Sequence, residues 1–174
     1  MALTRRQRLR RTALVCLHCL RNLAFFRAAD HPAPAWLQQQ FWVTARNNFL
    51  DTAVLEWCKV LGDPRAKQDW RKSVTDQPGF LERLLAHIGL TEDAFQAYIA
   101  EMRTYRDKFL AHLDDENRMD IPSLETAISS AGFLYEYLLN SENDCNAFEV
   151  DVPPSAAAYY QRFLAEGRAI YPVR

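Results

Sequence analysis

The chain has 174 residues, 49% apolar and 25% charged, which is ordinary globular composition at about one domain's length. A domain of this size buries roughly 70% of its unfolded surface, so it needs neither a disulfide nor a metal for stability. It holds only five glycines, Gly62, Gly79, Gly89, Gly132 and Gly167. Their scatter excludes a G-x-G-x-x-G or Walker A phosphate loop and argues against a hairpin-rich fold. The net charge of −1 hides an asymmetry: residues 1–29 carry seven arginines and no acid, and residues 30–174 carry 14 basic and 22 acidic groups, a balance of −8. Such a basic segment on an acidic body can bind nucleic acid or an acidic partner, or can be a solvated face that balances the body, the commoner case.

In chain order, Leu9, Ala13, Cys16, Leu20 and Leu23 recur at spacings of 3 and 4, predicting one amphipathic helix over 4–28. Its apolar stretch 13–20 is interrupted by His18 and is far shorter than the ~20 residues of a membrane span. The apolar positions run smoothly through the helix, which argues against a transit peptide. Pro32 and Pro34 break it. A second long helix is predicted over 35–61, with Leu37, Phe41, Ala45, Asn48, Val54, Trp57 and Leu61 near one stripe. Gly62-Asp63-Pro64 reads as a stop, a cap and a first-turn proline opening a shorter helix over about 64–73.

Gln77-Pro78-Gly79 reads as a turn before a short helix over 80–88 that Gly89 ends. Thr91 can cap the next helix, which runs through Phe95, Ile99, Met102, Tyr105, Phe109 and His112 to the polar run at 114–117. Asp120 and Pro122 open a helix through Leu124, Ala127, Ala131, Leu134 and Leu138. Residues 141–146 form a loop. Pro153-Pro154 open a last helix over about 155–166, ended by Gly167. Residues 148–152 are the one weak strand candidate. The expectation is an all-α, single-domain bundle of five or six helices over 1–174, with a basic N-terminal helix (1–29) and a C-terminal loop and short helix (145–174).

The strongest chemical constellation is Met102-Arg103-Thr104-Tyr105-Arg106-Asp107-Lys108-Phe109-Leu110-Ala111-His112-Leu113-Asp114. On a straight α-helix, six residues put Arg106 and His112 about 120° apart in projection and about 9 Å apart along the axis. Arginine is long enough to lean over that gap, so the pair could flank one phosphate. The guanidinium fork matches phosphate oxygens, and histidine can move a proton near neutral pH. A 2′-hydroxyl aimed at the adjacent phosphorus then cleaves RNA without a metal. Asp107 or Asp114 could orient or tune either group. From periodicity alone, a buried, hydrogen-bonded core residue is the default for His112, and Arg106 could pair with Asp107 or a nearby acid on the surface.

Arg106-Asp107-Lys108-Phe109-Leu110-Ala111-His112 resembles the signature of the HEPN superfamily (higher eukaryotes and prokaryotes nucleotide-binding domains): an arginine, a polar residue, and four to six positions in all before a histidine. Ala111-His112-Leu113-Asp114 is similar to its abortive-infection branch. The motif covers about a dozen residues and its helical context about 35–140. The resemblance implies a metal-independent endoribonuclease without cofactors, its composite cleft formed by two motifs at a homodimer interface. By that resemblance, Arg106 stabilises the phosphate, His112 is acid or base and Asp107 is the catalytic polar residue. Arg103, Lys108 and Asp114 are the flanking candidates for substrate contact. Relatives include toxins and phage-defence effectors restrained by an antitoxin or other regulatory partner, and also non-catalytic nucleotide- or RNA-binding proteins and scaffolds.

Other features read more plainly. Cys16 and Cys19 share a helical face among leucines, as core cysteines do, and Cys58 and Cys145 supply no second pair for zinc. The four cysteines make no secreted-domain framework, so a reducing cytoplasm is expected. His31 and His87 suit surface or capping roles. Trp36, Phe41, Trp42, Phe49, Trp57 and Trp70 fall mostly at helical spacing and suit core or dimer contacts better than base stacking. The arginines of the first helix scatter over several faces, which weakens one dedicated RNA-binding stripe. After the ribonuclease, the second reading is a non-catalytic helical interaction protein in which the motif is a dimer seam or a nucleotide-binding remnant, and the third is a regulator engaging nucleic acid through that helix.

Overall fold

Four of the six α-helices start where a side chain, Thr4, Asp76, Thr91 or Ser155, accepts from an otherwise unpaired amide of the first turn. In the computed structural model, which describes residues 3–30, 39–111, 121–143, 145–148 and 152–171 and only the backbone of 109–111, the first helix, α1, spans Arg5–Ala28. Thr4 caps it in a reciprocal box: the Gln7 amide donates to Thr4 Oγ1 at 3.2 Å, and the Thr4 amide donates to Gln7 Oε1 at 3.1 Å. The remaining helices are α2 (Gln40–Trp57), α3 (Gln77–Ile88), α4 (Glu92–Tyr105), α5 (Leu124–Ser141) and α6 (Ala156–Ile170). The architecture is all-α, with no strand among the described residues. Phe148 lies in a turn. No described helix is long and apolar enough to cross a membrane.

The α1 helix is the central one, packed by α2, α5 and α6 together. Its predicted stripe is buried, and so are Leu17, Ala24, Phe26 and Ala28 on other faces. That centrality decides what its arginines do. Arg5 donates to Glu142 at 2.6 Å, Arg8 to the Lys72 carbonyl at 2.8 Å, and Arg27 to Glu125. These three bind the chain's own acids and carbonyls, the balancing role. Arg10 and Arg11 remain exposed.

Three predicted boundaries move. Residues 64–73 form successive turns with one 3₁₀ turn at Trp70–Lys72, not a helix. There Asp63 accepts from the Arg65 amide at 2.9 Å and Asp69 from the Arg71 amide at 3.1 Å, and these local bonds compete with the helical ladder. The expected turn at 77–79 is the first turn of α3. Asp76 caps it by accepting from the Gly79 amide at 3.1 Å, and Pro78 sits where no amide is needed. Finally, α6 runs through Gly167 instead of ending there. A Cβ at Gly167 would lie 2.6 Å from Ala28 Cβ, so the glycine lets α6 close on α1. Gly89, at φ +67°, does end α3 as predicted.

The main core joins α1–α5 around Trp57, whose indole N–H donates to Ser130 Oγ at 2.9 Å while Tyr98 packs edge-on at 5.3 Å. A smaller cluster of Ala24, Ala28, Ala29, Leu164 and Tyr171 seals α6 to α1.

Candidate functional site

The α4 helix does not continue as a regular α-helix into the motif. From Arg106 to Ala111 it widens into a π-turn, with i→i+5 bonding. The end of α2 widens in the same way over Cys58–Gly62, closed by the Asp63 amide donating to the Cys58 carbonyl at 2.7 Å. Such widened turns often occur at functional sites. The two ends pack together: the Cys58 thiol lies 3.8 Å from the Met102 carbonyl, and Arg106 Nη1 lies 3.6 Å from Asp63 Oδ2. The separation of about 120° between positions 106 and 112 assumes 3.6 residues per turn and does not carry through this π-turn. His112 and Asp114 lie outside the described residues.

Arg106 is held from two sides. Its Nε donates to Asp107 Oδ1 at 2.7 Å and its Nη2 to Asp107 Oδ2 at 3.2 Å, a forked pair, while Asp63 approaches the third nitrogen. The hydrogen bond to Asp107 is the main reason its pKa stands above the ordinary arginine value. The guanidinium is 23% exposed and the Asp107 side chain 58%, so the pair forms a rim rather than a core contact. Arg103, one turn earlier, is half-buried, and its Nε is buried with no hydrogen-bond partner among the described residues. Lys108 is half-buried in the π-turn.

Beneath the rim, burial pushes the Cys58 thiol up to about 11. Arg106 and Arg103 oppose that shift, and Asp107 and Asp63 reinforce it. A neutral, buried thiol is a packing group, not a nucleophile. Behind Arg106, the buried Tyr105 hydroxyl donates to Asp51 Oδ1 at 3.3 Å, and burial raises the Asp51 carboxyl against that hydrogen bond. The arrangement can hold an anionic oxygen with Arg106, provided Asp107 yields part of the fork. Among the described residues it contains no group of three or more potential metal ligands.

Arg103, Arg106, Asp107 and Lys108 thus come together at one helix end. Asp63 and Asp51 are additions. Asp63 reads in the sequence only as a helix cap, and no spacing signal links it to Arg106, because packing of α2 on α4 makes that contact. Cys16 and Cys19 are fully buried, with both thiols pushed up mainly by burial. Trp57 and Trp70 are core residues as read, whereas Phe41 is 70% exposed; Trp36 and His31 lie outside the described residues. Compared with known proteins, the chain matches no family model, no curated protein and no solved structure.

Proposed function

We propose that the protein is a metal-independent endoribonuclease of the HEPN type, a cytoplasmic homodimer serving a toxin or phage-defence system under a regulatory partner. The reading rests on Arg106: a permanent cation at a partly exposed, widened helix end, gripped by Asp107 within the Arg106-to-His112 string. In this mechanism Arg106 takes a phosphate oxygen in its fork and stabilises the charge that develops on phosphorus. His112 removes the 2′-hydroxyl proton or returns one to the leaving 5′-oxygen. Asp107 keeps the guanidinium aimed until RNA arrives and then shares the fork. Arg103 and Lys108 add positive charge along the RNA backbone.

Purified protein in EDTA should cut RNA and leave 2′,3′-cyclic phosphate ends. Arg106→Ala and His112→Ala should each abolish cutting without unfolding the chain, and Arg106→Lys should not restore it, because an ammonium lacks the fork. Cutting that survives both alanine variants overturns the assignment.

The same fork supports a second reading, a non-catalytic helical interaction or RNA-binding protein in which Asp63–Arg106–Asp107 ties two helix ends together. That reading requires no RNA cleavage at any protein concentration, and a measurable loss of stability in Arg106→Ala.

A further inference from the structure

On other elements, α5 and α6 border a cleft of about 280 Å³, with Leu20 of α1 and His87 at the end of α3 completing its lining. This is just below the range of drug-sized pockets, room for one small ligand. Gly132, Ala156 and Ala157 contribute almost no side chain to its lining, and a Cβ on Gly132 would already reach 3.4 Å from Ala156 Cβ. Its walls are aromatic. Phe133 packs on Phe80 at 5.6 Å and, tilted by 34°, on His87 at 5.1 Å, and Tyr160 lines the cleft from α6.

One anion lines this apolar space. Glu136 Oε1 accepts the amide of Ala156, the first residue of α6, at 3.0 Å, which fixes the carboxylate at a helix N-terminus. Its Oε2 has no hydrogen-bond partner among the described residues. An ionised carboxylate accepts only, with about four lone-pair sites, so most of its capacity remains for a ligand. A lining of small and aromatic residues with one carboxylate anchored through Oε1 suits a thin ring system with two adjacent N–H donors on one edge.

We propose that this cleft binds a purine whose edge presents a ring N–H beside an exocyclic amine, as guanine does. The flat ring lies against the small residues and Phe133, and the N–H edge meets Glu136. The site shares no residue with the Arg106 rim and does not depend on ribonuclease activity.

Titration calorimetry of the full chain with guanosine, inosine, adenosine and benzamidine tests it. Guanosine should bind tightest. Inosine, which lacks the exocyclic amine, should bind about tenfold weaker, and adenosine weaker again, as expected for losing hydrogen bonds to a charged group. Glu136→Gln keeps an oxygen for the Ala156 amide and should weaken guanosine binding about tenfold or more. Ala157→Phe, at an exposed position, should fill the cleft and abolish binding with an unchanged melting temperature. The proposal fails if guanosine does not bind at millimolar concentration, if adenosine binds as tightly, or if Glu136→Gln binds like the parent. It also fails if benzamidine binds more tightly than guanosine, since the cleft is then a general cation site.

Discussion

Replacing Gly167 with alanine separates two opposite roles for that glycine. If it were only a weak point inside a helix, alanine would stabilise the protein by up to about 1 kcal/mol through helix propensity. The packing predicts the reverse. The new Cβ would stand 2.6 Å from Ala28 Cβ and 3.1 Å from Phe25 Cδ1, where ordinary contact begins at 3.4 Å. Ala28 Cβ is bonded directly to the backbone and cannot rotate aside, so α6 must back away from α1 by nearly 1 Å. Overpacking of this kind costs about 1–3 kcal/mol. Set against a propensity gain of about 1 kcal/mol, the net loss is about 0–2 kcal/mol, or up to roughly 8 °C in Tm for a chain of this size. Thermal and urea unfolding followed by circular dichroism measure it. Ala28→Gly should partly rescue Gly167→Ala, giving a favourable coupling in the double-mutant cycle. Stabilisation by Gly167→Ala, with no coupling to position 28, would refute the close-approach argument.

Burial raises the Asp51 carboxyl above its usual 3.8, so from about pH 3.8 upward the native state binds more of this proton than the unfolded chain does. Its contribution is therefore complete at lower pH and is lost as pH rises through the folded pKa. Asp51→Asn should flatten the fall of Tm with pH in that window, and a steeper fall in the variant contradicts this. Cys16, Cys19 and Cys58 are buried and Cys145 is half-buried, so a thiol reagent at pH 8 should find one fast thiol in the native protein, four after unfolding, and none fast in Cys145→Ala. Arg5→Ala should cost about 1–3 kcal/mol, because it strips a charged partner from Glu142, which is only 4% exposed. Arg10→Ala and Arg11→Ala, at exposed positions, should each stay within about 0.5 kcal/mol in the same denaturation assay; equal losses at all three would contradict the assigned roles of the basic helix.

The helices were legible where their signals are local. Thr91 and Gly89 act on amides and carbonyls within one turn, so the end of α3 and the start of α4 can be read from composition and spacing alone. Even local signals mislead where two compete. Asp63 looks like a helix opener, yet its carboxylate closes a tight turn instead. Gln77-Pro78-Gly79 looks like a turn, but with Asp76 as cap it is a helix start. Of the site, the Arg106–Asp107 fork was visible because neighbours in sequence must be neighbours in space. The approach of Asp63 and the widening of both helix ends were not, since both arise where α2 and α4 meet.

The amino-acid sequence by itself determined that the chain is helical and that it holds no glycine-rich phosphate loop. Periodicity and capping act over a few residues and are written directly in the order of the chain. Only the tertiary structure decided that Gly167 is a contact and not a terminus, that Arg5 belongs to Glu142, and that Arg106 stands between Asp107 and Asp63. These outcomes depend on distances between segments far apart in the chain. Such distances are set by how helices with many possible neighbours fill one common core.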